Sequence, residues 1–203
     1  MIANAALSAL LNVAALAGVP FLIYFAYHKA RRGRGLAEAA GRAGLRLGEV
    51  RYAGYCAAAA AAAVALIVAF PPPVESMTRP GSPQREFAGL GLGGAAVVMA
   101  LLYGVVKTGF AEEFLFRGLV AGSLGRRLPL ARANLLQAAI FLLPHLPILF
   151  VMPEMWPVLP AVFGGALFAG WARIRSGSIL GPWIMHAAAN VATCLSVAAR
   201  TAG

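Results

Sequence analysis

Leu101–Val120 reads LLYGVVKTGFAEEFLFRGLV, and the reading of the whole chain turns on it. The stretch is apolar and of the length that crosses a bilayer as a helix, about 20 residues. Yet Glu112-Glu113-Phe114-Leu115-Phe116-Arg117 places three formal charges inside it. A charge in a low-dielectric interior costs several kcal/mol unless it is paired, solvated or neutralised. Two adjacent carboxylates in such a place mark either a structural ion pair or a working site.

The surrounding composition supports a membrane setting. The chain is 61% hydrophobic and 12% charged, with a mean hydropathy of +0.78. Soluble domains carry about twice that charge fraction. Apolar runs of spanning length recur, without the alternation a membrane β-barrel would need. The expected fold is therefore all-α, a polytopic transmembrane helical bundle of about six spans. They are placed at Ala5–Tyr27, Ala53–Phe70, within Phe87–Leu124, and at Ala133–Met152, Trp156–Ala172 and Ser178–Ala198. Phe87–Leu124 exceeds one perpendicular span, so an interfacial or broken start is expected before a long helix. Residues 1–203 read as a single membrane-embedded domain, with 87–199 as the helical core that carries the polar motifs described below.

The net charge of +10 comes from 15 Arg and 2 Lys against 7 acidic residues. The basic residues lie between the apolar runs, so they act as topology determinants and lipid-headgroup contacts, with no nucleic-acid partner expected. Seven fall in His28–Arg51, three in Arg126–Arg132 and two at Arg173 and Arg175, against Arg79, Arg85 and Arg200 in the alternate loops. The positive-inside rule then puts the N-terminus outside. Leu36–Leu47 is a candidate amphipathic helix in the headgroup plane. An apolar N-terminus without a basic n-region reads as a retained span. The richness in Ala, Gly, Arg and Pro points to a GC-rich bacterial genome, and the expected location is the bacterial inner (cytoplasmic) membrane. Cys56 and Cys194 read as two buried small side chains. Gly165-xxx-Ala169 and Ala166-xxx-Gly170 offer small-residue packing faces.

Polar side chains within the spans are few: Lys107, Glu112, Glu113, Arg117, His145, His186 and Asn190. Intramembrane ionisable residues are functional candidates by default. Glu113 and Arg117, four apart, share a helix face and can pair. Glu112 is turned about 100° from Glu113 on an α-helix, which frees it to meet a partner helix. His186 and Asn190 project together, and His145 lies between Pro144 and Pro147, where an interrupted helix can line a cavity. A carboxylate, two imidazoles and a carboxamide suit amide hydrolysis. A Glu–His pair holds and deprotonates water, and His and Asn donate to a tetrahedral oxyanion.

Glu112-Glu113-x-x-x-Arg117, Phe141-x-x-x-His145 and His186-x-x-x-Asn190 together resemble the three motifs of the CAAX-protease and bacteriocin-processing family. These are intramembrane proteases of the type II prenyl-protease kind. The resemblance covers about Leu101–Val197. It implies that Glu112 and His145 activate water, that His186 and Asn190 form the oxyanion hole, and that Glu113 and Arg117 support the site. It favours a glutamate-type mechanism with no cofactor over a zinc site built from Glu112, His145 and His186, and no HExxH motif is present. The implied partner is a membrane-anchored protein or peptide substrate in the lipid bilayer. Small bacterial branches of the myxosortase type imply removal of C-terminal tail anchors. Two other classes compete: a non-catalytic scaffold or bacteriocin-immunity factor, and an ion or proton pathway. Lys107 has no carboxylate three or four residues away and receives no role.

Overall fold

The computed structural model describes residues 1–202. It is all-helical, with no strand among the described residues. Seven helical rods organise it: α1 (Ile2–Arg32), α2 (Leu36–Arg42), α3 (Val50–Ala69), α4 (Gly94–Gly125), α5 (Leu130–Val151), α6 (Val158–Ser176) and α7 (Leu180–Arg200). Of these, α1, α3, α4 and α5 are both long and apolar enough to cross a membrane. The α6 and α7 helices reach spanning length, at 19 and 21 residues. They are more polar, because they carry Arg173, Arg175, His186 and Asn190.

The α7 helix is the hub. It packs against α3 and the first half of α4, and more lightly against α6 and the second half of α4. On α3 only one stripe of the alanine-rich run is used. Tyr52, Cys56 and Ala60 are buried, four residues apart, as a helix face requires. Cys56 sits against Gly181, where an added Cβ would lie 3.0 Å from its Sγ. Cys194 belongs to a separate cluster with Met99, Met152 and Val197, so both cysteines are free and buried.

The α6 helix packs on α5 through Ala166 and Gly170. Gly170 accepts the closest approach: Gln137 and Asn134 occupy the space a Cβ would need. Gln137 Nε2 donates to the Ala166 carbonyl at 2.7 Å, and Asn134 Nδ2 to the Leu167 carbonyl at 2.9 Å. Of the two small-residue stripes, the Ala166–Gly170 one therefore does the packing. Gly165 meets nothing within 4 Å, although Ala169 is fully buried.

The bundle has two ends. At one, Glu49 N–H donates to Ser176 O (3.2 Å) and Ile179 N–H to Gly44 O (3.1 Å). Twelve of the basic residues belong to the segments that meet there. Here α2 is tied into the bundle. Ala39 and Ala43 are fully buried, and an added Cβ on Gly118 of α4 would stand 2.7 Å from the Ala43 carbonyl. At the other end, Ser76 Oγ and Arg79 hold Glu154, and Arg200 Nη1 donates to Pro72 O at 2.7 Å. The start of the third apolar region is broken as expected: a short turn at Arg85–Phe87 and a glycine-rich link precede α4.

Candidate active site

The decisive local feature is the winding of α4. Two stretches, Leu102–Phe110 and Glu113–Ala121, are wound more widely than an α-helix. The Ala111 N–H reaches Val106 O and the Gly122 N–H reaches Arg117 O, five residues back. Such π-turns recur at functional sites. Residues five apart then stack, so Thr108 and Glu113 look the same way, towards α7. Gly104 and Gly109, also five apart, let α7 approach. A Cβ at Gly104 would lie 2.7 Å from Val191 Cγ2, and one at Gly109 would lie 3.3 Å from the Ala187 Cβ.

Three hydrogen bonds knit the two helices at this close approach. Trp183 Nε1 donates to Val105 O at 2.8 Å. Asn190 Nδ2 donates to Thr108 Oγ1 at 2.8 Å, and that hydroxyl donates on to Tyr103 O at 2.9 Å, again five residues back. His186 Nδ1 meets Glu113 Oε1 at 2.8 Å. The same Glu113 oxygen accepts from Arg117 Nη1 at 2.9 Å. Glu113 and Arg117 are 1% and 2% exposed, so this ion pair is internal. Glu113 Oε2 and Arg117 Nε are buried without a hydrogen-bond partner among the described residues. Instead, the guanidinium carbon lies 3.9 Å from the centroid of the Phe141 ring.

Phe141, on α5, connects the second motif to the other two. Its ring packs edge-on against His186 at 6.1 Å and tilts against His145 at 4.6 Å. Pro144 ends the regular part of α5, and the chain continues as a tight turn over Leu143–His145. His145 Nδ1 contacts the Phe141 carbonyl at 2.8 Å. A carbonyl can only accept, so Nδ1 carries the proton, and in the neutral ring Nε2 presents a lone pair.

Glu112 is partly exposed and turns to the same side. Its Oε2 stands 4.0 Å from His186 Nε2. Among the described residues no ion-pair contact joins Glu112 to His145, so its nearest imidazole is that of His186. The sequence reading assigned Glu113 to Arg117 alone and turned Glu112 towards His145. The structure gives Glu113 a second partner, His186, and sets Glu112 beside that same ring. Thr108 was not singled out from sequence, although a hydroxyl in an apolar helix five residues before Glu113 is a signal once π-winding is known. Lys107 lies apart, its Nζ 5.5 Å from the centre of the Tyr103 ring.

The donor types in Glu112, His145 and His186 suit zinc, but their placement does not. Among the described residues no three His, Cys, Asp or Glu side chains converge as metal ligands. His186 directs Nδ1 to Glu113, which leaves Nε2 as the nitrogen beside Glu112. The arrangement as built offers a carboxylate, an imidazole with a free lone pair, and a row of hydrogen-bond donors on α7. That is a set for proton transfer and oxyanion stabilisation.

Residues 93–192 match the family model described as type II CAAX prenyl endopeptidase Rce1-like. The matched segment opens one residue before α4 and closes two residues after Asn190, so it contains all six candidate site residues. Comparison with curated proteins and with solved structures finds no match.

Proposed function

We propose, from the chain's membership of the Rce1-like type II CAAX prenyl endopeptidase family across residues 93–192, that Glu112 and His145 activate the water of an intramembrane endopeptidase. The coarser parts of this reading are given by the family and the fold: an integral membrane protein with a protease core, acting on a protein substrate in a lipid setting. The assignment of residues, the glutamate-type chemistry and the substrate are our own reading.

The observation that carries the Glu112 assignment is the 4.0 Å separation of Glu112 Oε2 and His186 Nε2. That is too long for a hydrogen bond. It is the span of two bonds of about 2.8 Å meeting at one oxygen near a right angle. Water or the attacked carbonyl oxygen suits that position. Glu112 accepts the proton as the water attacks, and the Nε2 lone pair of His145 assists. His186 donates through Nε2 in its imidazolium form, because Nδ1–H is held by Glu113. With both glutamates ionised, Arg117 and an imidazolium at His186 leave the four groups neutral together, which a low-dielectric site demands. Asn190, oriented by Thr108, supplies the second donor to the oxyanion.

The substrate is an extended segment beside a membrane anchor, since a helix hides its carbonyls in its own hydrogen bonds. In a bacterial inner membrane, C-terminal tail anchors removed during protein sorting fit this description. The orientation that accompanies it puts the N-terminus outside and the basic end in the cytoplasm. Reporter fusions at residues 1 and 127 are expected to read opposite sides, and the same side would refute the orientation.

The test of the mechanism is cleavage of a tail-anchored reporter by purified protein. Glu112→Gln is expected to lower the rate by about 10²–10⁴-fold, the range of a lost general base. Undiminished cleavage would refute the assignment. Cleavage that a strong chelator abolishes in the wild type would replace it with metal chemistry.

A further inference from the structure

The basic end of the bundle holds a second charged cluster that peptide hydrolysis does not use. Arg173, in the last turn of α6, is 4% exposed. Its Nη2 donates to the Arg42 carbonyl at 2.9 Å, and Arg126 Nη1 donates to the same oxygen at 3.1 Å. Arg126 Nη2 is further bonded to Tyr24 Oη at 3.1 Å and Ser123 Oγ at 3.2 Å. Gly122 stands at the point of convergence, where an added Cβ would lie 2.7 Å from Arg173 Nη2 and 3.3 Å from Arg126 Nη1.

Two guanidiniums thus share one neutral acceptor, and a third, Arg42, supplies it. Among the described residues no carboxylate lies within 4.0 Å of Arg42, Arg126 or Arg173; the nearby acids are engaged elsewhere, Glu38 by Arg34 at 2.7 Å and Glu49 by Arg51 at 2.8 Å. The Nε atoms of Arg42 and Arg173 are buried with no partner among the described residues. A buried arginine without a counter-charge is strongly disfavoured. Forked guanidinium donors are the side chains that best match phosphate oxygens.

We propose that the Arg42–Arg126–Arg173 cluster binds a phosphate group, which supplies the missing negative charge and pins α2 to the core. The cluster lies where α1 ends and α3 begins, at the basic end of the bundle. An anionic phospholipid and free phosphate both present this chemistry. Occupancy would brace α2 through Ala43 against Gly118, the residue after Arg117.

The experiment uses the full chain in a maltoside detergent and a buffer both free of phosphate, with phosphatidylglycerol titrated into the micelles in one arm and inorganic phosphate into the buffer in the other. The readout is the thermal unfolding midpoint. A rise of about 5 °C at saturation is expected for a specific ligand of a chain this size. Arg126→Gln is expected to remove at least half of that rise. Arg175→Gln, an exposed arginine on α6 at the same end, makes the same change in net charge and is expected to leave the rise intact. A rise in the lipid arm assigns the ligand to a headgroup, and a rise with phosphate alone assigns it to the free anion. No rise in either arm, or equal loss in the two variants, overturns the proposal. If Arg126→Gln does not fold, Arg126→Lys keeps the charge without the fork, and an undiminished rise in it overturns the proposal equally.

Discussion

Glu113 Oε1 takes one hydrogen bond from Arg117 and one from His186, and this double use ties the stability of the site to its chemistry. The ion pair is internal, so the loss of one partner is more harmful than the loss of both. Arg117→Met is expected to destabilise the fold by about 3–5 kcal/mol, because it strands a buried carboxylate. The double variant Glu113→Gln with Arg117→Met is expected to recover much of that stability. It should not recover cleavage, since His186 then lacks the carboxylate that balances its charge. Chemical unfolding in detergent and reporter cleavage, measured on the same preparations, separate the two effects. Equal recovery of stability and activity would make the pair purely structural. The Glu113–Arg117 contact was legible from four-residue spacing alone. The Glu113–His186 contact was not, because spacing along α4 says nothing of which face α7 covers.

The α4 helix shows why a 3.6-residue reading sorted its faces imperfectly. Its wide turns bring Gly104 and Gly109, then Thr108 and Glu113, onto surfaces that an ideal α-helix would separate. The order of the helices, their approximate ends and the interruption at Pro144 could be read from apolar runs and prolines. The winding could not, because no residue type marks a π-turn by itself. The packing role of glycine divides likewise between positions that look alike in sequence. At Gly104 a methyl group would meet the Val191 backbone nitrogen at 2.8 Å, whereas at Gly164 it would meet nothing within 4 Å. Gly104→Ala is expected to cost about 1–3 kcal/mol, the range of overpacking. It should also reduce cleavage, by pushing His186 and Asn190 away from Glu113 and Thr108. Gly164→Ala is expected to be neutral or to stabilise by up to about 1 kcal/mol, since a mid-helix glycine is replaced without a clash. Unfolding midpoints of the two variants that move together would contradict the close approach of α4 and α7.

At the scale of the whole molecule the two ends are held by different chemistry. The basic end is tied by guanidinium-to-carbonyl bonds, such as Arg46 Nε to Gly177 O at 2.9 Å. Charge bias in the sequence identified that end, but not that Arg173 would be buried within it. The opposite end combines one such guanidinium-to-carbonyl bond, from Arg200 to Pro72 O, with a carboxylate. Glu154 accepts from Ser76 Oγ at 2.5 Å and pairs with Arg79 Nη1 at 3.0 Å, and so docks the 74–86 loop on the turn before α6. The Ser76 hydroxyl bond, with the Glu154 backbone bond and Arg79 behind it, lowers the Glu154 pKa below its ordinary value of 4.5. A carboxylate with a depressed folded-state pKa adds stability above its unfolded value and loses it as pH falls through the folded one. The docking should therefore hold at neutral pH and weaken only in acid, below pH 4.5. Hydrogen exchange of the amides in residues 74–86 is expected to lose protection as the pH is lowered below 4.5, once corrected for intrinsic rates. The α4–α7 interface carries no such dependence on Glu154, so its amides serve as the internal reference. In Glu154→Gln the loop should already show reduced protection at neutral pH and little further change in acid. A pH-dependent opening that persists unchanged in that variant would move the control of this end to another group.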